Sequence, residues 1–508
     1  MANVFPHSLL KAFQDAPELP AFEYGSRIVR RGEVVDLVAQ YVGGLCAADA
    51  SLEPGDSIAI YTGVTPEGFA VQIAAHVLGL RVIGLKPGMA TGHLPTLVAD
   101  SKLFIVDEIT NAEIKSSPPL TSKVIQLNSL PIVPSRLECQ GHLEDIALVL
   151  YTSGTTGGPK GVEYIYAAMT ASWAWQCSNW TADTERMAAK YSRFMLFGTL
   201  ASMVMFEHLG LCLTGGGTAV IPTIPLPLLK FPHILVHLRI SAVLFTVPRL
   251  YHVLDVLKTE VSDIDLSHLR SIVVSGSPLP PQKIRAAIDR FGNAIHNGYG
   301  MSETGLACLL LAEDIAAHPE AVGSVGRPWT GIEVEVRNDA GVKVPSGTVG
   351  HVWVRSPSAF SRYTNEDSST VLDVEGWVWT RDLGSLCDNG FLYLTGRARD
   401  IVIINANVYY AGAIEDALAS HPDVDAAYVV SVPDEKTGEA AAAFITVARG
   451  ARDLDFDILR ALVREKVGPA AVPPSITLID SVPIAPSGKP DKQALLKRQI
   501  DKMPPESG

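Results

Sequence analysis

The sequence predicts an α/β protein: a large N-terminal domain of parallel and mixed sheets flanked by helices, a small antiparallel β subdomain within it, and a small α+β C-terminal domain. Three observations carry this. Short β-branched runs alternate with helix-length stretches through most of the chain, tight-turn hairpin patterns begin after about Gly323, and the pattern changes again at "GRARD". Strand–helix alternation favours parallel sheets covered on both faces, and closely spaced turns favour antiparallel ladders. The boundary falls near Asp400, giving domains 1–399 and 400–508, the second of a typical domain size.

The alternation reads directly from the residues. "SIAIYTG" is followed by "TPEGFAVQIAAHVLGL" and "RVIGLKP", and later "SAVLFTVP" by "RLYHVLDVL", "SIVVSGS" and "PPQKIRAAIDRF". Hairpins read from "IEVEVRNDAG", "GTVGHVWVRS" and "DNGFLYLTGR"; the last domain reads from "AAYVVSVPD", "AAAFITVARG", "FDILRALVREKVG" and "SITLIDSVP". In parallel sheets ligands bind beyond the carboxyl ends of strands. Three polar loops are expected there, "YTSGTTGGPKG", "SGSPLP" and "NGYGMSETG", converging on one crevice.

Composition narrows the function. Of 508 residues 47% are hydrophobic, and Lys plus Arg number 41 against 54 Asp plus Glu, a formal charge of −13. An acidic chain of this kind argues against a nucleic-acid partner or an anionic membrane surface, both of which favour basic faces. No leader and no membrane span are expected from "MANVFPHSLLKAF" and the broken apolar runs. Six cysteines without a Cys-x-x-Cys pair fit reduced thiols packed in the core of a cytoplasmic protein.

"YTSGTTGGPKG" cannot pack, because it offers amides and hydroxyls but almost no apolar surface; such loops hold anions. It is not a Walker loop. Pro159 precedes Lys160 and Gly161 follows it, so neither the helix start nor the magnesium-binding hydroxyl is in place. What remains is a loop with one cation, suited to phosphates that must be held and then released, or, taken alone, a solvated turn.

The loop resembles the phosphate signature of the adenylate-forming superfamily: acyl- and aryl-CoA synthetases, adenylation domains of nonribosomal peptide synthetases, and luciferases. Four more stretches resemble that family's motifs in order: "NGYGMSETG" (297–305), "GWVWTRDLG" (376–384), "YLTGRARD" (393–400) and "APSGKPDK" (485–492). The resemblance implies ATP and Mg²⁺ as cofactors, pyrophosphate and AMP as products, and a mobile C-terminal domain that pivots at Asp400. It assigns Thr152, Ser153, Gly154, Thr155, Thr156, Gly157 and Lys160 to the leaving phosphates. Gly276, Ser277 and Pro278 would form one wall of the adenine slot, and Asn297, Gly298, Tyr299, Gly300 and Met301 the other. Ser302, where the family usually has Thr, would meet the α-phosphate; Glu303 would hold the metal; Asp382 and Arg397 would hold the ribose. Lys489 would bridge carboxylate and α-phosphate in the transition state.

Two departures bear on the substrates. CoA-using relatives carry a glycine pair after the hinge, where this chain has Asn405 and Ala406, and a Glu where it has Ala413. The Asn405 or Ala406 side chain would narrow a thiol tunnel, and the departures together put CoA in doubt and tilt the acceptor towards an amine, as in stand-alone amide bond synthetases. Near the acyl pocket Phe197 is followed by Gly198 rather than His. Ser202 stands where amino-acid-activating members have Asp, so an α-amino acid is a poor substrate. Phe197, Gly198, Ser202 and Phe206, with Trp173 and Trp175 nearby, point to an aryl or apolar acid. A CoA ligase and a catalytically silent nucleotide binder are the alternatives.

Overall fold

The computed structural model describes residues 3–115, 117–153, 159–224, 228–259, 264–397, 400–404, 407–434, 437–448, 454–485 and 490–500. Among these residues lie four sheets of nine, seven, four and five strands. The α/β architecture expected from the sequence is the one observed.

The seven-stranded sheet is built as its pattern dictates. Ser57–Tyr61 is buried along its whole length and pairs in parallel with Arg81–Gly84 and Leu103–Val106. The intervening helix, Pro66–Val77, starts where Thr65 accepts a hydrogen bond from the Gly68 amide at 2.9 Å and Pro66 presets the first turn. Ile146–Ser153 continues the sheet in parallel beside Arg81–Gly84, then turns back antiparallel as Pro159–Ile165.

In the nine-stranded sheet Ala242–Thr246, Ser271–Ser275 and Ile295–Met301 run parallel, as read from "SAVLFTVP" and "SIVVSGS". One expectation fails there. "NGYGM" is not a loop; it continues the strand to Met301 and pairs antiparallel with Gly305–Leu310, with an irregularity between Tyr299 and Gly300. Glycine permits the close return, since a Cβ on Gly300 would lie 2.0 Å from the Gly305 carbonyl oxygen.

The hairpins after Gly323 form the four-stranded antiparallel sheet of Glu333–Arg337, Gly350–Arg355, Trp377–Leu386 and Leu392–Arg397. Beyond Asp400, Val424–Asp434 and Gly438–Val447 pair antiparallel, with Ser475–Leu478 parallel to the second. Helices Ala411–Ala419 and Phe456–Lys466 close a separate apolar cluster around Ile414, Leu418, Leu459 and Val463. No helix among the described residues is long and apolar enough to cross a membrane. The cysteines correct the composition-based expectation: Cys212 and Cys308 are buried, but Cys46 and Cys177 are exposed and Cys139 and Cys387 half-buried. Cys46 comes near the end of the helix Arg31–Ala48 and Cys177 begins a short turn, and neither position faces the core.

Burial also sets an acid limit on stability. His76 is 0% exposed, lies edge-on to Phe5 at 5.2 Å, and burial lowers its pKa to about 3. Its folded value is depressed below the unfolded one, so its contribution is complete above about pH 6.5 and is lost as pH falls towards about 3. His76→Leu is therefore expected to gain stability relative to the parent, by about 2 kcal/mol, between pH 7 and pH 5. Urea unfolding of both proteins at the two pH values checks this; a constant difference would contradict it.

Candidate active site

The phosphate-loop strands are fixed by an antiparallel register that places Thr152 opposite Lys160 and Ser153 opposite Pro159. Gly154, Thr155, Thr156 and Gly157 and the side chain of Ser153 lie outside the described residues. Lys160 reaches from the far strand. Its ammonium sits 3.2 Å from the centre of the Tyr363 ring and 2.5 Å from Glu366 Oε2.

Gly276 leaves the end of the Ser271–Ser275 strand at φ 96°, a left-handed turn that glycine adopts without strain, and carries the chain past Ser277 and Pro278. The adjacent strand pairs Asn297 with Val274, so the Gly276 turn and the "NGYGM" run lie at the same end of one sheet. Asn297 is buried and Tyr299 half-buried. The Tyr299 hydroxyl donates to Asp382 Oδ2 at 2.6 Å, and Arg397 Nε lies 3.4 Å from Asp382 Oδ1. Burial first, and then the Asp382 carboxylate, push the Tyr299 phenol well above its usual pKa, so it stays a donor. The structure thus brings together Tyr299, Asp382 and Arg397, which belong to three separate motifs.

Asp382 is aimed by a β-bulge. Between the pairs Leu383–His351 and Trp379–Trp353 the Trp377–Leu386 strand takes four steps against two on its neighbour. Within the bulge Arg381 has φ 63°, and the Asp382 amide donates to Thr380 Oγ1 at 3.1 Å. Bulges re-aim side chains beside functional sites.

Glu303 is 9% exposed, and its backbone and side chain are both held: the Phe360 amide donates to its carbonyl and the Tyr363 hydroxyl donates to Oε1, each at 2.8 Å. Oε2 accepts no hydrogen bond among the described residues. A half-satisfied, nearly buried carboxylate linked to Lys160 through the Tyr363 side chain suits a hard divalent cation. The described residues contain no group of three or more His, Cys, Asp or Glu placed to hold a metal, so an ion here would draw its remaining ligands from phosphate oxygens and water. The neighbouring Ser302 carbonyl accepts from the Tyr164 hydroxyl.

On the acyl side, Ser202 precedes the helix Met203–Thr214, half-buried, without bonding a helix amide. Gly198 is exposed, and Phe197 is half-buried against Phe231. Phe206 departs from the expectation of an open pocket wall. It is 1% exposed and packed on Trp175 at 4.6 Å and Phe5 at 6.2 Å, in the core with Trp173 and Trp175. The next residue, Glu207, was missed. Burial raises its pKa to about 8, and Oε2 accepts from the Leu306 amide at 3.1 Å, just behind the Glu303 turn. A single acid in the apolar helix "MVMFEHLGLCLT" was the available signal.

Asp400 Oδ2 lies 3.2 Å from Lys492 Nζ, which also meets Glu415 Oε1 at 2.8 Å. Lys489, Asn405 and Ala406 lie outside the described residues.

A family model described as AMP-binding enzyme matches residues 10–364, and one for the AMP-binding enzyme C-terminal domain matches 413–489. Amide bond synthetase McbA from Marinactinospora thermotolerans is similar at 30% identity, covering 97% of this chain and 99% of its own, with a TM-score of 0.82. Feruloyl-CoA synthase from Amycolatopsis sp is 27% identical, covering 93% of this chain and 94% of its own. 2-Succinylbenzoate–CoA ligase from Geobacillus kaustophilus is 28% identical, covering 97% and 96%. The chain belongs to the AMP-binding enzyme family, within the adenylate-forming superfamily, and is an ATP-dependent, AMP-forming acyl-adenylate ligase.

Proposed function

We propose that the protein activates an aryl or apolar carboxylic acid as its acyl adenylate and passes the acyl group to an amine, making an amide. The observation that carries the acceptor is the pair Asn405 and Ala406, side chains where CoA-using relatives have two glycines. A pantetheine arm needs close backbone approach, which a Cβ obstructs. Likeness to an amide bond synthetase along nearly the whole chain supports the same reading.

In this reading Asp382 and Arg397 hold the ribose and Tyr299 fixes Asp382, while Asn297 and the Gly276–Pro278 turn hold the base. Lys160 and the loop amides orient the leaving phosphates, and Ser302 meets the α-phosphate. Mg²⁺ held at Glu303 supplies charge neutralisation across the phosphates. The acid lies by Phe197, Gly198 and Ser202; Ser202 supplies no carboxylate for an α-ammonium group, and Glu207 is buried on the Leu306 amide. Residues 400–508 rotate about Asp400 to bring Lys489 to the reacting oxygens, then withdraw it for the amine.

Incubation of the enzyme with ATP, Mg²⁺ and a panel of acids, with amines or CoA supplied separately, is expected to give amide as the main product by mass spectrometry. Efficient acyl-CoA formation would overturn the amine assignment and leave a CoA ligase.

A further inference from the structure

The stretch Phe360–Thr364 belongs to none of the five motifs, yet it is tied to two of them. The Ser361 amide donates to the Glu163 carbonyl at 2.8 Å and the Thr364 amide to the Gly161 carbonyl at 3.0 Å, so this short strand is stitched to the one that carries Lys160. Its other end reaches the metal motif through the Phe360 amide and the Glu303 carbonyl. Between these ends stands Tyr363, 5% exposed and packed on Phe360 at 4.7 Å. Its hydroxyl binds Glu303 Oε1 and its face carries the Lys160 ammonium.

We propose that Tyr363 is a positioning residue for the triphosphate, one rigid side chain that sets both which oxygen of Glu303 is presented to the metal and where Lys160 waits for the phosphates. The inference rests on Lys160 and Glu303 having the roles given above. A phenol hydroxyl on Oε1 leaves Oε2, which accepts no hydrogen bond among the described residues, to face the metal. A ring face attracts an ammonium without neutralising it, so the lysine keeps its full charge for an incoming phosphate. Glu366, whose side chain is 41% exposed, is the counter-ion that the phosphate oxygens displace.

The test uses the full-length chain and two variants. Tyr363→Phe keeps the ring under Lys160 but frees Glu303; Tyr363→Leu removes both contacts. Binding of ATP is measured by calorimetry with and without Mg²⁺, and Mn²⁺ binding in the presence of a non-hydrolysable ATP analogue by electron paramagnetic resonance. Tyr363→Phe should need about tenfold more divalent cation for half-saturation, the expected loss for one hydrogen bond to a charged group, with metal-free ATP affinity unchanged. Tyr363→Leu should weaken metal-free ATP as well. Unchanged cation dependence in Tyr363→Phe, or equal loss with and without metal, would overturn the proposal; if Tyr363→Leu fails to fold, Tyr363→Phe alone decides. A parent protein that binds no Mg²⁺–ATP would instead remove the functional reading, and this proposal with it.

Discussion

Lys489→Ala is expected to lower acid-dependent ATP–pyrophosphate exchange by about 10³-fold, the scale lost when one preorganised charge is removed from a developing oxyanion. As the carboxylate attacks the α-phosphorus, negative charge spreads over the phosphoryl oxygens, and an ammonium that touches both reactants stabilises that state more than the ground state. Affinity for Mg²⁺–ATP should change little, because the nucleotide contacts proposed above come from residues before Asp400. Consumption of supplied acyl adenylate should continue, since the proposed cycle withdraws the lysine for that step. Equal loss in exchange and in adenylate consumption would show that Lys489 does something else.

Asp382→Ala is expected to reduce kcat/KM for ATP by about 10²-fold or more while leaving KM for the acid nearly unchanged. Two hydrogen bonds from ribose hydroxyls to a carboxylate are worth about 1.5–3 kcal/mol each. The substitution also strips the Tyr299 hydroxyl of its carboxylate acceptor at 2.6 Å, which adds cost on the same side of the site. Asp382→Asn should recover part of the loss by accepting one bond. Steady-state kinetics with ATP and acid varied in turn separates these outcomes; an unchanged KM for ATP with a raised KM for the acid would remove Asp382 from the nucleotide.

The strand–helix alternation was legible because each apolar run is bounded by its own signal, as Thr65–Pro66 bounds the helix after Ser57–Tyr61. The site was legible where chemistry is written into short polar stretches, and the structure brings Tyr299, Asp382 and Arg397 into one cluster. It was illegible where geometry depends on distant partners. The "NGYGM" run looks like a turn to any local rule, but its glycines let the returning Gly305–Leu310 strand pack against it. Phe206 sits on the helix that follows Ser202, yet which of its neighbours it packs against is decided by Phe5, near the far end of the chain. Tyr363 carried no signal of its own, since its importance comes from the two groups that meet it. Exposed Cys46 and Cys177 show that the average tendency of a residue type does not fix an individual position.

The kink at Arg381 has an engineering consequence. A hardened, heat-tolerant descendant of this chain would be sought by ironing out irregular ladders and unusual backbone angles, and the stretch before Asp382 offers both in one place. Straightening it would absorb two extra residues, a whole pleat period, so the carboxylate would keep its face but slide along the strand, away from Tyr299. The most tempting spot to reinforce is therefore the one that must be left crooked.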